Sequence, residues 1–207
     1  MTLLADNDII LKLAHCDLLA QAVALLGGPA AEVYVLGTAR YKLLPKNRGK
    51  GNIPSPGDPA YLRLQAFFAV ARTVEATPDQ ADVRLLVDEF QIDEGEAVLF
   101  AAAGSYPGCH VATGDKRALA TLAALGPAGH GVRDRLAGRV VCLEYVLVQL
   151  IDALGFTDVL NRVVPAREYD TVLRAVFNLD STEASVRAGL TSYIAALRTD
   201  APGLLVP

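Results

Sequence analysis

The feature that most constrains this chain is the alternation of short apolar segments with stretches of helical periodicity. The segments Leu3–Ala5, Glu32–Leu36, Cys109–Ala112 and Arg139–Leu143 are short and rich in apolar or β-branched residues, which is typical of strands. Between them apolar residues recur at helical spacing, so the predicted order is β-α-β-α-α-α-β-α-β. This alternation predicts an α/β fold in which helices cover both faces of a mainly parallel sheet, so that the fold has three layers, α/β/α.

No strand pattern follows residue 145. Helices are expected instead over residues 145–154, 157–164, 169–178 and 183–198. The predicted domains are therefore an α/β domain over residues 1–145 and a helical extension over residues 146–207 that packs on or beside it. Three roles are open for this extension: it covers a face of the sheet, it forms a homodimer, or it binds a protein partner.

Composition excludes several classes of protein. A net charge of −4 over 207 residues excludes a globally basic nucleic-acid clamp, although not a local basic patch. No apolar run is long enough for a membrane span, and Asp6 comes too early for a secretory signal. The three cysteines have no CxxC spacing, which favours reduced thiols and a cytoplasmic location.

Three acidic residues stand where predicted strands meet helices or where a helix begins. Asp6 follows the first strand, Asp115 follows the third, and Glu96 lies in the first turn of a helix that is apolar on nearly all faces. Each could simply cap or start its own helix. Because the carboxyl ends of parallel strands line one crevice, the three carboxylates are also expected to converge there.

Converging carboxylates repel one another, and a divalent cation relieves that repulsion. Mg²⁺ and Mn²⁺ prefer oxygen ligands, so they are the expected cofactors. A metal-activated water in such a site can attack a phosphodiester. The residues alone therefore favour hydrolysis of nucleic acid, with Asp6, Glu96 and Asp115 as both catalytic residues and metal ligands.

Three motifs resemble the PIN-domain family, which includes the ribonucleases of bacterial toxin–antitoxin pairs. They read LLADNDIILKLA (residues 3–14), IDEGEAVLFAAA (residues 92–103) and VATGDKRAL (residues 111–119). The matching features are an Asp ending the first strand, a Gly-Glu-small run opening a buried helix, and a Thr-x-Asp ending a later strand. The resemblance covers roughly residues 1–145. It implies a Mg²⁺- or Mn²⁺-dependent endoribonuclease, with Thr113 supporting the site through its hydroxyl, and an antitoxin-like protein as a partner.

The chain departs from the family pattern in two places near the site. The family has Asp-Thr/Ser-Asn/Ser at its first motif, whereas this chain has Asp6-Asn7-Asp8, so Asp8 is either a further ligand or a first-turn acid favoured by the helix dipole. A fourth acid often follows the Thr-x-Asp motif, and the choice is between Asp134 and Glu144. Glu144 is preferred because it ends a predicted strand. The longer span between the first two motifs and the extra helices argue against a minimal toxin.

A basic segment lies near the predicted site. It is expected to be a loop over residues 40–52 that binds RNA phosphates non-specifically, and Lys116 and Arg117, just after Asp115, are also within reach of a phosphate. The alternative is that these cations are simply solvated. The predicted RNA-binding residues are Arg40, Lys42, Lys46, Arg48, Lys50 and Lys116.

Other site chemistries fit the sequence less well. Adjacent pairs such as His15-Cys16 and Cys109-His110 point in different directions and chelate zinc poorly, so the cysteines are expected to be buried apolar residues. Two rival functions stay open beside the ribonuclease. One is a catalytically weak or inactive PIN-fold module that binds RNA or protein, and the other is a nuclease directed at DNA.

Overall fold

A computed structural model describes residues 2–27, 32–75, 77–125 and 130–207. Within these ranges the strands form one parallel sheet in the order β3-β2-β1-β4-β5. The strands are β1 (Thr2–Ala5), β2 (Glu32–Val35), β3 (Arg72–Thr73), β4 (His110–Ala112) and β5 (Val140–Val141). The predicted α/β fold with a parallel sheet is confirmed.

Helices cover both faces of this sheet. In the described part of the chain they are α1 (Asn7–His15), α2 (Leu19–Gly27), α3 (Ala39–Leu43), α4 (Pro59–Val70), α5 (Gln80–Arg84), α6 (Glu94–Ala102), α7 (Lys116–Ala123), α8 (His130–Leu136), α9 (Leu143–Leu154), α10 (Phe156–Val163), α11 (Thr171–Val176) and α12 (Glu183–Asp200). A π-helical turn continues α5 over Leu85–Glu89.

The sheet separates two hydrophobic cores, as the period-two alternation of a strand requires. On β1, Leu3 and Ala5 face a core shared with α1, α2, α4 and α9–α11. Leu4 faces the opposite core, which α6, α7 and α8 cover. Phe100 on α6 is fully buried in that second core. Burial of each such side chain stabilises the fold by about 1.5–3 kcal/mol.

The helices after residue 145 share these cores. α9 begins at Leu143 and so runs across the predicted domain boundary at residue 145. α12 contributes Val186 and Leu190 to one core and Ile194 and Leu197 to the other. The extension therefore covers the sheet on both faces, which is one of the three roles considered for it.

The C-terminal segment lies beside the edge strand β5. The Arg139 backbone N–H donates to the Leu204 carbonyl at 3.0 Å, and Val206 N–H donates to the Val140 carbonyl at 3.0 Å. Leu204 is fully buried. These contacts protect the unpaired edge that β5 would otherwise present to solvent.

Three predicted element bounds are wrong, and one helix was missed. The apolar spacing of residues 61–75 predicts one helix, but the helix ends at Val70. Arg72–Thr73 instead pairs with β2 as an edge strand, and because both residues are exposed, no apolar alternation marked it. The predicted loop over residues 40–52 begins with α3, which buries Ala39 and Leu43. The strand predicted to reach Leu143 ends at Val141. α8 was not predicted at all.

Across the described ranges, no helix is both long enough and apolar enough to span a bilayer.

Candidate functional site

The predicted site lies where the connections of the sheet change direction. From β1 the chain runs outward to β2 and β3, then returns past β1 to β4 and β5. The crevice between the carboxyl ends of β1 and β4 is therefore the topological switch point, the place where open α/β sheets bind ligands. Asp6 directly follows β1, and its backbone N–H donates to the Ala112 carbonyl of β4 at 2.9 Å.

Two of the three predicted carboxylates are helix N-caps at this crevice. Asp6 precedes α1, and its Oδ2 accepts a hydrogen bond from the Asp8 N–H at 3.2 Å. Asp115 precedes α7, and its Oδ1 accepts from the Arg117 and Ala118 N–H groups at 2.8 and 3.0 Å. Each cap uses one carboxylate oxygen for its helix. The capping role and the site role are therefore compatible in one side chain.

Glu96 approaches from a different element. It lies in the first turn of α6, after the N-cap Asp93, whose Oδ1 accepts from the Gly95 N–H at 2.9 Å. Beyond its first turn α6 is apolar, and the Glu96 side chain reaches the crevice and is only 7% exposed.

All three carboxylates line one open cavity of about 440 Å³ at the carboxyl edge of the sheet, called here the acidic pocket. Besides them it is lined by Asn7, Asp8, Leu11, Lys42, Leu43, Ile53, Asp93 and Arg117. Asp6, Glu96 and Asp115 were predicted to share one crevice, and the structure brings them to that pocket. The sequence left the place of Asp93 open, since it depends on which way the first turn of α6 faces. Arg117, considered only as a phosphate contact, lies in the same wall.

The carboxylates of the acidic pocket disturb one another electrostatically. Burial, followed by the charges of Asp115, Asp6 and Asp93 in that order, raises the pKa of Glu96 to about 8. A hydrogen bond between the Glu96 and Asp115 carboxyl groups acts in the same direction. Burial also raises the pKa of Asp6, against the two backbone N–H groups that stabilise its charge. Glu96 therefore holds a proton near neutral pH.

The donor chemistry of the acidic pocket suits a hard cation, because every acidic side chain in it offers oxygen. Burial and the neighbouring carboxylates raise the pKa of both Asp6 and Glu96, so a cation would favour their charged forms. Among the described residues, however, no group of three or more Asp, Glu, His or Cys side chains is arranged to hold a metal ion. The residues fit Mg²⁺ or Mn²⁺ in type and charge, and their side chains would have to close around it.

Asp8, predicted as a weaker ligand, already has a cationic partner. Lys12 Nζ lies 2.6 Å from Asp8 Oδ2 and 2.7 Å from Asp170 Oδ2, so it joins the rim of the pocket to the N-cap of α11. A Cβ on Gly114 would overlap the Asp8 carboxylate. The glycine of the Thr-Gly-Asp motif thus leaves room for the Asp8–Lys12 ion pair.

Thr113, for which the resemblance implies a supporting role, lies two residues before Asp115. It is fully buried, and its Oγ1 accepts a hydrogen bond from the Asp115 N–H at 3.1 Å. Its own N–H donates to the Val141 carbonyl of β5 at 3.1 Å. These two bonds hold the turn that presents Asp115.

Glu144 does not line the acidic pocket. It lies in the first turn of α9 rather than at a strand end, so the reason for preferring it was wrong. Its side chain is 3% exposed and pairs with Lys116, with 2.6 Å between Nζ and Oε1. Lys116, predicted to bind RNA, therefore points to an internal partner and also lies over the Tyr193 ring. The alternative acid, Asp134, is on α8 and pairs with Arg133.

Of the basic residues in the predicted segment, one lines the acidic pocket. Arg40, Lys42, Lys46, Arg48 and Lys50 are all exposed. Lys42, on α3, lines the pocket, and Arg48 lines a separate cavity beside His15 and Tyr169. Arg117, exposed at the start of α7, supplies a second cation to the pocket.

The cysteines are buried free thiols, as predicted: Cys16, Cys109 and Cys142. The His15 ring stacks on the Tyr169 ring, with 3.6 Å between their centroids. This contact gives the His15 side chain a structural role.

Fold and pocket together define a class: a parallel α/β protein with an acidic cavity at its topological switch point. Comparison of the chain with protein-family models, with curated proteins and with solved structures gave no match.

Proposed function

We propose that this protein is a PIN-like, Mg²⁺- or Mn²⁺-dependent endoribonuclease. The observation that carries the proposal is that Asp6, Glu96 and Asp115, from three separate elements, line one pocket in which burial and mutual repulsion raise the pKa of Glu96 to about 8. Mg²⁺ or Mn²⁺ bound to these carboxylates would stabilise charge on a phosphodiester and activate water for hydrolysis. Asp6, Glu96 and Asp115 are the residues that would hold it.

The chain's own residues orient this chemistry. The α1 and α7 backbones fix one oxygen of Asp6 and one of Asp115, so each carboxylate keeps its second oxygen for a ligand. Lys42 and Arg117 lie in the pocket wall and offset the charge of an incoming phosphate. Without these two cations the acidic pocket would repel a polyanion.

The decisive experiment removes charge without removing a helix cap. Asp6→Asn and Asp115→Asn keep an oxygen that accepts the capping hydrogen bonds, since Asn is as good an N-cap as Asp. The matched control is Asp79→Asn: Asp79 caps α5 in the same way, through the Ala81 N–H, and does not line the acidic pocket. We expect both pocket variants to lose cleavage of a labelled RNA by at least about 100-fold, while the control cleaves like the natural protein. Natural rates in both pocket variants refute the mechanism.

A specific observation favours the second candidate, a module that binds RNA or protein without catalysis. Within the described ranges the acids are not arranged around a metal site. Calorimetric titration with Mn²⁺ in two buffers of different ionisation enthalpy separates the two functions. The ribonuclease requires binding with release of about one proton near pH 7, because the cation displaces the proton of Glu96. Failure to bind millimolar Mn²⁺ while RNA still binds favours the module.

The substrate, the partners and the cellular location also belong to the proposal. A comparison of RNA with single-stranded DNA of the same sequence decides between a ribonuclease and the DNA-directed alternative. Within the proposal, the partners are an RNA substrate and, by the family resemblance, an antitoxin-like protein, and the location is the cytoplasm.

A further inference from the structure

A second cavity, of about 460 Å³, adjoins the acidic pocket and is called here the side cavity. The two share Lys42 and Asp93 in their walls, so a ligand in the acidic pocket can continue into the side cavity. The inner wall of the side cavity is apolar and is formed by Leu36, Val74 and Val98.

The apolar wall comes from three separate elements and is only half-buried. Leu36 follows β2, Val74 follows β3, and Val98 lies on α6, one turn beyond the loop that carries Asp93. Gly95 lies between these groups, and a Cβ there would meet Asp93 Oδ1 at 3.1 Å and Leu36 Cδ1 at an ordinary contact distance of 3.6 Å. An exposed apolar cavity directly beside a strongly polar one indicates a ligand with an apolar part and a charged part.

The rim of the side cavity supplies polar groups for such a ligand. Thr38 lines it and caps α3, yet its hydroxyl makes no capping hydrogen bond to that helix. Lys42 stands between the two cavities and is exposed. A nucleotide matches this order of groups: a flat ring against the apolar wall, and a phosphate beside the lysine.

We propose that the side cavity binds one nucleobase of the substrate strand against Leu36, Val74 and Val98, while Lys42 holds the adjoining phosphate. The inference rests on the proposed function and deepens it. It makes the side cavity the place where the enzyme selects the nucleotide next to the cleaved bond. Thr38 is the group placed to read a polar edge of that base.

Binding is tested without catalysis. The full-length protein, labelled with ¹³C at Leu and Val methyls, is titrated in EDTA with a nucleoside 5′-monophosphate and, separately, with ribose 5-phosphate. We expect the Leu36, Val74 and Val98 methyl signals to shift with the nucleotide and not with the sugar phosphate, because only the nucleotide carries a ring. Equal shifts with both ligands, or none at these methyls, overturn the subsite.

Cleavage supplies the second test. RNA that lacks the base at one position next to the cleaved bond should be cut about tenfold more slowly, as expected for the loss of one base contact. Val98→Phe fills the side cavity, so it should slow the cleavage of intact RNA by the same factor. The variant should then cleave RNA with and without that base at equal rates. The matched control is Val70→Phe at a valine that is 76% exposed on α4. Lys42→Gln is compared in the same way with Arg84→Gln, an exposed cation on α5 that lines neither cavity.

The outcomes separate the two proposals. If RNA is cleaved but neither the missing base nor Val98→Phe alters the rate, the subsite is wrong and the ribonuclease stands. If the nucleotide shifts the methyl signals but no RNA is cleaved, the subsite is supported and the ribonuclease is wrong.

Discussion

The internal ion pair of Lys116 and Glu144 gives the sharpest prediction about this fold. Its two members are unequally exposed, with 38% of the Lys116 side chain and 3% of the Glu144 side chain open to solvent. Removal of Lys116 therefore leaves a buried carboxylate without its cation, whereas removal of Glu144 leaves a lysine that can reach water. We expect Lys116→Met to destabilise the protein far more than Glu144→Gln.

The magnitude follows from the burial of Glu144. Removal of one partner of a buried ion pair costs about 3–5 kcal/mol, because the other charge is left uncompensated. We therefore expect Lys116→Met to lose about 3–5 kcal/mol at pH 7. Glu144→Gln should cost about 1 kcal/mol, because Lys116 stays solvated. Methionine keeps an unbranched apolar side chain beside the Tyr193 ring, over which the Lys116 Nζ lies at 4.6 Å.

The assay is urea unfolding followed by circular dichroism at pH 7. The double variant Lys116→Met with Glu144→Gln should recover most of the loss, since no charge is then left buried. A Lys116→Met loss that equals that of Glu144→Gln would refute the internal pair.

Three further predictions concern stability. In metal-free protein the free energy of unfolding should fall as pH rises from 4.5 to about 8, because folded Glu96 holds its proton more tightly than the unfolded chain does. After allowance for solvent screening the expected fall is about 2–3 kcal/mol. Urea unfolding at a series of pH values measures it, and Glu96→Gln should abolish it. Asp170→Asn keeps the N-cap of α11 but loses the Lys12 ion pair, so thermal unfolding should show a loss of about 1–3 kcal/mol; no loss in Tm would contradict the bridge. Phe100→Ala should cost about 3–5 kcal/mol by urea unfolding, and a smaller loss would mean that the second core collapses around the vacancy.

The sequence brought residues to the candidate site correctly where a local junction also had a fixed place in the sheet. Asp6 and Asp115 stand at strand-to-helix junctions, and the carboxyl ends of parallel strands must share an edge of the sheet. Prediction failed for Glu144 because a shift of two residues in the end of β5 moves it from a strand end into a helix. Arg117 was not chosen because neighbouring helical residues point in different directions, and sequence alone did not decide which of Lys116 and Arg117 faces the pocket.

The sequence by itself determined the class of fold, most of the helices and the three acids, since apolar periodicity, caps and strand ends are local properties of a chain. Only the tertiary structure decided the edge pairing of Arg72–Thr73, the docking of the C-terminal segment beside β5, and the ion pair that buries Glu144. Each of these interactions joins residues that are distant in the chain. The free energy that each contributes to folding depends on burial and on partners that come into reach only once the sheet has formed.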